Sequence, residues 1–178
     1  TFLFVGRIVE DKGIFDILDV LARSDLRARL IVVGDGPDFD AAHSLAERLG
    51  LADRVYFVGQ VPYAKLSEFY GACDLVIVPS KNRYEGFPRV IMESWGYGKP
   101  IIVSDVGGIR AFVENGENGI VFPPGDLGAL KKAMETAATD ADLYARLRAG
   151  VALCREVSDG RYWQRVLSDQ LKANANVA

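Results

Sequence analysis

The sequence predicts an α/β domain of three layers, a doubly wound, parallel six-stranded sheet with helices on both faces. Three observations lead there. Short apolar runs alternate with longer helical patterns along the chain, the sign of strand–helix units. The short runs are β-branched or aromatic and apolar at nearly every position, as strands buried on both faces must be. The 178 residues leave room for one domain with a substantial core.

In order, the strand candidates are Phe2 to Val5, Leu30 to Val33, Val55 to Val58, Leu75 to Val78, Ile101 to Ser104 and Ile120 to Phe122. Helices are expected over 13–23, 37–49, 63–72, 88–98, 108–115 and 126–139, with two more filling 140–157 and 160–172. Their ends are marked. Gly50 follows the Leu45/Leu49 stripe as a C′ residue. Gly98-Lys99-Pro100 stops the fourth helix, because proline cannot continue it. Pro123-Pro124-Gly125-Asp126 is a turn that delivers an N-cap aspartate. The tail 173–178 is small and polar and is expected to fray.

Composition removes several classes of function. Basic and acidic residues number 21 and 24, a net charge of −3, without the basic excess of a nucleic-acid binder. His43 is the sole histidine, and Cys73 and Cys154 fit neither a zinc site nor a disulfide framework. No apolar run approaches the ~18 residues of a membrane span. Gly34-Asp35-Gly36-Pro37 lacks the third glycine of a dinucleotide fingerprint and follows the second strand, and no P-loop is present. No signal-like segment precedes the first strand, so a reducing, cytoplasmic setting is expected. The abrupt start at Thr1 is expected to mark a domain excised from a longer protein.

With strand order 3-2-1-4-5-6, the loops after strands 1 and 4 run apart and leave a crevice at the carboxyl edge. Those loops hold the chemistry. After strand 1 comes Gly6-Arg7-Ile8-Val9-Glu10-Asp11-Lys12-Gly13; after strand 4, Pro79 to Pro88, including Glu85-Gly86-Phe87; after strand 5, Ser104-Asp105-Val106-Gly107-Gly108. Gly86 permits close approach of a ligand, and Pro88 pre-sets the first turn of a helix whose free N–H groups and dipole favour an anion. Arg7 supplies a fork for phosphate oxygens and Lys12 a mobile point charge. Glu85 accepts from hydroxyls. Glu93 lies about one and a half turns inside an apolar helix, where a carboxylate is costly unless partnered. Taken singly, each has an ordinary reading as a solvated charge or a tight turn. Their joint placement at one crevice favours a ligand that carries a diphosphate beside a sugar.

Glu85 to Glu93 is an E-x7-E stretch, followed by Gly98-Lys99-Pro100 with Ser104-Asp105-Val106-Gly107-Gly108, then Glu114-Asn115-Gly116-Glu117-Asn118-Gly119 and Pro123-Pro124-Gly125-Asp126. Before it stand Gly6-Arg7…Lys12-Gly13, Gly34-Asp35-Gly36-Pro37 and Phe57-Val58-Gly59-Gln60-Val61-Pro62. Over about residues 2–140, this ordered series resembles the C-terminal, donor-binding domain of the retaining glycosyltransferases of family 4 (glycosyl transferases group 1). The resemblance implies a Rossmann-like half of a GT-B fold over 1–172 and a nucleotide-diphospho-sugar donor, such as a UDP- or GDP-sugar. It implies that Arg7 and Lys12 hold the diphosphate, with Gly6 beside them. Glu85 binds donor-sugar hydroxyls and Glu93 the ribose. Backbone amides of Gly86, Phe87, Arg89 and Val90 lie along sugar and phosphate. Gly59 and Val61 lie near the base.

It further implies hexosyl transfer with retention, in which Arg7, Lys12 and Glu85 serve catalysis and the two cations stabilise the departing diphosphate. No metal and no cofactor is expected. The acceptor, a lipid or polysaccharide, is expected to be held by an N-terminal domain of the same protein, in part at the cytoplasmic face of a membrane. The domain alone is expected to be inactive or weakly active. One departure stands out: Ser80-Lys81-Asn82-Arg83-Tyr84-Glu85-Gly86 is longer and more basic than the family's usual stretch, and Lys81 and Arg83 are open to donor, acceptor or solvent contact. Two alternatives stay open, a GT-B sugar-nucleotide epimerase and a non-catalytic nucleotide-sugar-binding or interaction module. His43, Cys73, Trp95 and Tyr97 are expected to pack or face solvent.

Overall fold

The computed structural model of the chain describes residues 1–82 and 89–158. Its elements are β1 (Phe2–Val5), α1 (Ile14–Ala22), β2 (Leu30–Val33), α2 (Phe39–Arg48), β3 (Val55–Gly59), α3 (Leu66–Ala72), β4 (Leu75–Val78), α4 (Arg89–Gly96), β5 (Ile101–Ser104), β6 (Gly119–Phe122), α5 (Leu127–Thr139) and α6 (Ala141–Ser158). The strands form one sheet in the order β3-β2-β1-β4-β5-β6, and every pairing is parallel. This is the doubly wound, three-layer, Rossmann-like architecture.

Alternation along each strand sorts the core into two layers, since successive side chains leave opposite faces. Phe2 and Phe4 of β1, Leu30 and Val32 of β2, and Leu75 and Ile77 of β4 join Ile17, Leu21, Ala42 and Met134 of α1, α2 and α5 on one face. Leu3, Val33, Val76, Ile101 and Val103 join Tyr70, Ile91, Trp95 and Val151 of α3, α4 and α6 on the other. The inner strands β1, β2, β4 and β5 are covered on both faces, which explains their unbroken apolar runs, whereas the edge strand β3 leaves Tyr56 and Val58 exposed.

β1 pairs with β2 from Phe2↔Leu30 to Val5↔Val33, but with β4 only at Phe2↔Leu75 and Leu3↔Val76. Toward their carboxyl ends β1 and β4 therefore lose their pairing, at the point where the strand order reverses.

Two helices differ from expectation. The stretch 108–115 makes only a 3₁₀ turn, Ile109–Ala111. The cause is Asn118, whose Oδ1 accepts from the Glu114 N–H at 2.8 Å and whose Nδ2 donates to the Phe112 carbonyl at 3.0 Å. A side-chain amide thus takes the backbone groups that a longer helix would pair. The stretch 63–72 divides into a 3₁₀ turn, Tyr63–Lys65, and α3. Asp126 caps α5 as expected, accepting from the Ala129 N–H at 2.9 Å. The expected helix 160–172 and tail 173–178 lie outside the described residues.

Candidate functional site

Loop β1–α1 is the centre of the carboxyl edge. Ile8 is fully buried and anchors it. On one side the loop is bound to the β2–α2 segment. The Gly6 N–H donates to Val33, the Ile8 N–H to Asp35 and the Asp38 N–H to Ile8, at 3.0, 2.9 and 3.2 Å. Asp38 returns the contact by accepting from the Glu10 N–H at 2.8 Å. Gly36 allows this approach: a Cβ there would lie 2.2 Å from the Ile8 carbonyl oxygen.

On the other side it is bound to loop β4–α4. The Lys81 N–H donates to the Asp11 carbonyl at 2.7 Å, and Asn82 Nδ2 donates to Asp11 Oδ2 at 3.2 Å. Lys81 Nζ forms an ion pair with Asp16 Oδ1, in the first turn of α1, at 2.8 Å. Lys81 is thus a strut between two loops rather than a solvated charge. Ser104, at the end of β5, donates to the Ser80 carbonyl at 2.5 Å and joins the third loop to the set. Beyond it, Arg110 grips Asp105 through Nε and Nη2 at 2.9 and 2.8 Å, and those hydrogen bonds hold the Asp105 carboxyl below the usual carboxylate range.

The expected site residues fall into two groups. Gly6 and the exposed Arg7 line an open depression of ≈ 450 Å³ with Gly34, Asp35, Gly36 and Gln60. Lys12 is half-buried on the same loop, in the 3₁₀ turn that Gly13 closes. A larger cavity of ≈ 580 Å³ lies at the opposite, amino edge of the sheet, lined by Thr1, Phe2, Asp74 and Tyr144, away from these loops.

The second group gathers where α3 and α4 meet. Glu93 is only 16% exposed. Its Oε2 accepts from the Tyr70 hydroxyl at 3.0 Å, and its Oε1 lies 3.7 Å from Arg89 Nη2. Arg89 stands over the Tyr63 ring at 5.8 Å. Val61 and Val90 pack half-buried beside Tyr70 and Ile91. Gly59 ends β3 at φ +80 and its carbonyl accepts from the Gly34 N–H at 2.9 Å, so the loop after β3 touches the β2 end of the depression. Glu85, Gly86 and Phe87 lie outside the described residues, as does Arg83.

Tyr70, Asp11, Asp16 and Asp38 were not singled out from the sequence. A signal existed for Tyr70: a hydroxyl inside the apolar stripe Leu66, Phe69, Tyr70, Cys73 needs a partner when buried. The three aspartates offered none, because their partners lie on other loops. Other expectations on packing hold. Trp95 is buried and donates to the Asn118 carbonyl at 3.2 Å. Burial pushes the Cys73 thiol up to about 11. His43 is half exposed, its ring 5.2 Å from that of Phe57. Tyr97 stacks on Tyr70 at 4.9 Å and 12°. Among the described residues, no group of three or more His, Cys, Asp and Glu side chains is placed to hold a metal ion, and no helix is long and apolar enough to cross a membrane.

The fold is a doubly wound α/β domain whose strand order reverses between β1 and β4, the architecture of a GT-B half. Comparison with known proteins gives the family. Residues 1–151 match the model of glycosyl transferases group 1, and the chain belongs to that family. It is 31% identical over 153 residues to alpha-D-kanosaminyltransferase of Streptomyces kanamyceticus, covering 84% of this chain and 39% of that enzyme. Among solved structures, Anabaena HepE in complex with UDP superposes with a TM-score of 0.80 at 28% identity, over 99% of this chain and 48% of HepE. The C-terminal domain of a Francisella tularensis group 1 protein, LpcC, shares the fold at 19% identity and a TM-score of 0.76, over 90% of this chain and 85% of that domain. The chain spans less than half the length of the kanosaminyltransferase and of HepE.

Proposed function

We propose that this chain is the donor-binding half of a retaining glycosyltransferase that uses a nucleotide-diphospho-sugar. One observation carries the reading. The loop that bears Arg7 and Lys12 is clamped on both sides at the β1/β4 switch point, with Arg7 on an open depression of ≈ 450 Å³. A loop so fixed presents its cations without reorganisation, which makes electrostatic stabilisation effective. HepE has been solved with UDP and with UDP-glucose, which supports a nucleotide-sugar as the ligand of this edge.

In this reading Arg7 and Lys12 hold the diphosphate, Glu85 the donor-sugar hydroxyls, and Glu93 the ribose. Gly59 and Val61 stand near the base, and backbone of Gly86, Phe87, Arg89 and Val90 lines the sugar and phosphates. The bond from the anomeric carbon to the diphosphate oxygen breaks with its electron pair left on the diphosphate. The acceptor oxygen bonds to the same face of that carbon, and its proton passes to the departing phosphate. Charge grows on the diphosphate, so Arg7 and Lys12 supply the stabilisation for which no metal is required. A hexose is the transferred group. The acceptor, a lipid or polysaccharide, sits on an N-terminal domain of the same protein, in the cytoplasm or at the cytoplasmic face of a membrane.

The test is turnover of the full-length enzyme. Arg7→Ala and Lys12→Ala should each lower kcat by about 10²–10³-fold, the loss typical of a removed oxyanion stabiliser. Lys132→Ala, exposed on α5, should leave it unchanged. Normal turnover in both edge variants would contradict the diphosphate assignment.

A further inference from the structure

Glu93 holds its carboxylate on α4 with only 16% of the side chain exposed. Among the described residues, its one short hydrogen bond is to Tyr70, between α3 and α4. Tyr70 has 0% of its surface exposed, and its ring is fixed by the buried layer below and by the stacked ring of Tyr97 above. A phenol locked in this way holds its oxygen in place, and its hydroxyl donates to Glu93 Oε2 at 3.0 Å. The other carboxylate oxygen, Oε1, stays on the side of the exposed Arg89, whose Nη2 is 3.7 Å away.

We propose that Tyr70 is the positioning residue for Glu93: its hydroxyl occupies Oε2, fixes the carboxylate plane, and so commits Oε1 to the ribose hydroxyls of the nucleotide. The proposal rests on the reading that Glu93 meets the ribose. A carboxylate on a three-bond tether holds two ribose hydroxyls well only if its orientation is set beforehand, and a rigid aromatic donor sets it at little entropic cost. Burial and the neighbouring Glu93 charge both push the Tyr70 phenol upward, so it remains a donor throughout the working pH range. Tyr70 touches no ligand in this scheme. Its effect on the nucleotide passes entirely through Glu93.

The experiment separates positioning from general loosening. The chain is titrated with whichever of UDP, GDP and ADP binds the native protein most tightly, and with its 2′,3′-dideoxy counterpart. Native protein should favour the ribonucleotide by about tenfold or more, the value of hydrogen bonds to a charged group. In Tyr70→Phe that preference should fall to about twofold, while dideoxynucleotide affinity changes by less than about twofold. In a Glu93→Ala background the same substitution should change neither affinity. 4-Aminophenylalanine at position 70, which restores a donor, should bring the preference back. Should the phenylalanine variant not fold, 4-fluorophenylalanine fills the same space without donating and serves as the test. A preference retained in Tyr70→Phe, or equal weakening of both nucleotides, overturns the role of Tyr70 alone. Absence of any preference in the native protein overturns the ribose role of Glu93, and this proposal with it.

Discussion

Gly13→Ala measures how closely the β1–α1 and β4–α4 loops meet. Gly13 adopts φ +78, where an alanine is strained by about 1–2 kcal/mol. A Cβ there would stand 2.2 Å from the Pro79 carbonyl oxygen and 3.0 Å from Pro79 Cγ. The nearest atom is main chain, so no side-chain rotation relieves the clash; the loops must part by roughly an ångström to restore a normal contact. Parting them stretches the 2.7 Å bond from the Lys81 N–H to the Asp11 carbonyl, and losing it removes about 1 kcal/mol more. The sum is about 2–3 kcal/mol, a fall in Tm of roughly 4–12 °C for a domain of this size. Gly50→Ala is the control. It has the same handedness, φ +69, but no atom within 4 Å of the added carbon, so it carries backbone strain alone. Thermal and urea unfolding followed by circular dichroism read both. Equal stability of the two variants, within about 1 °C, would show that the loops do not meet through bare backbone.

Asn118→Ala should cost about 2–3 kcal/mol in urea unfolding, since the buried amide bonds to the Glu114 N–H, the Phe112 carbonyl and Cys154 Sγ, and all three bonds are lost with it. Asp105 titrates below its unfolded value, so its pairing with Arg110 contributes stability that is full above about pH 4 and disappears as pH falls through the lower folded value. Native protein should therefore lose stability on acidification more steeply than Asp105→Asn below about pH 4, as read by Tm against pH.

The architecture was largely legible in the sequence because its inner strands are buried on both faces. Runs such as Leu-Val-Ile-Val at 75–78 carry their own signal, and turn chemistry at Pro123 to Asp126 marks the following helix. Helix 108–115 was misread because its fate depends on a side chain that lies beyond it. Nothing local in Gly108 to Asn115 says that Asn118 will claim the Glu114 N–H and the Phe112 carbonyl. The candidate site shows the same divide. Arg7, Lys12 and Glu93 were visible as charges at suggestive places. The clamp was not, because Asp16 and Lys81 are 65 residues apart and Tyr70 and Glu93 are 23 apart. Such pairings are products of the strand order. The sequence shows which residues carry charge, while the topology decides which of those charges are held.

Binding of a nucleotide at the β1/β4 edge is the claim on which the functional account depends, and a thermal shift tests it most directly. The chain is melted alone and with millimolar UDP, GDP and ADP and their glucose or mannose esters. One nucleotide series should raise Tm; at about 100 times Kd the stabilisation is about 2.7 kcal/mol, or roughly 5–11 °C. Lys12→Ala, compared with its own unliganded Tm, should abolish most of the shift. An unchanged Tm across the whole series, or a shift that Lys12→Ala leaves intact, would contradict the account.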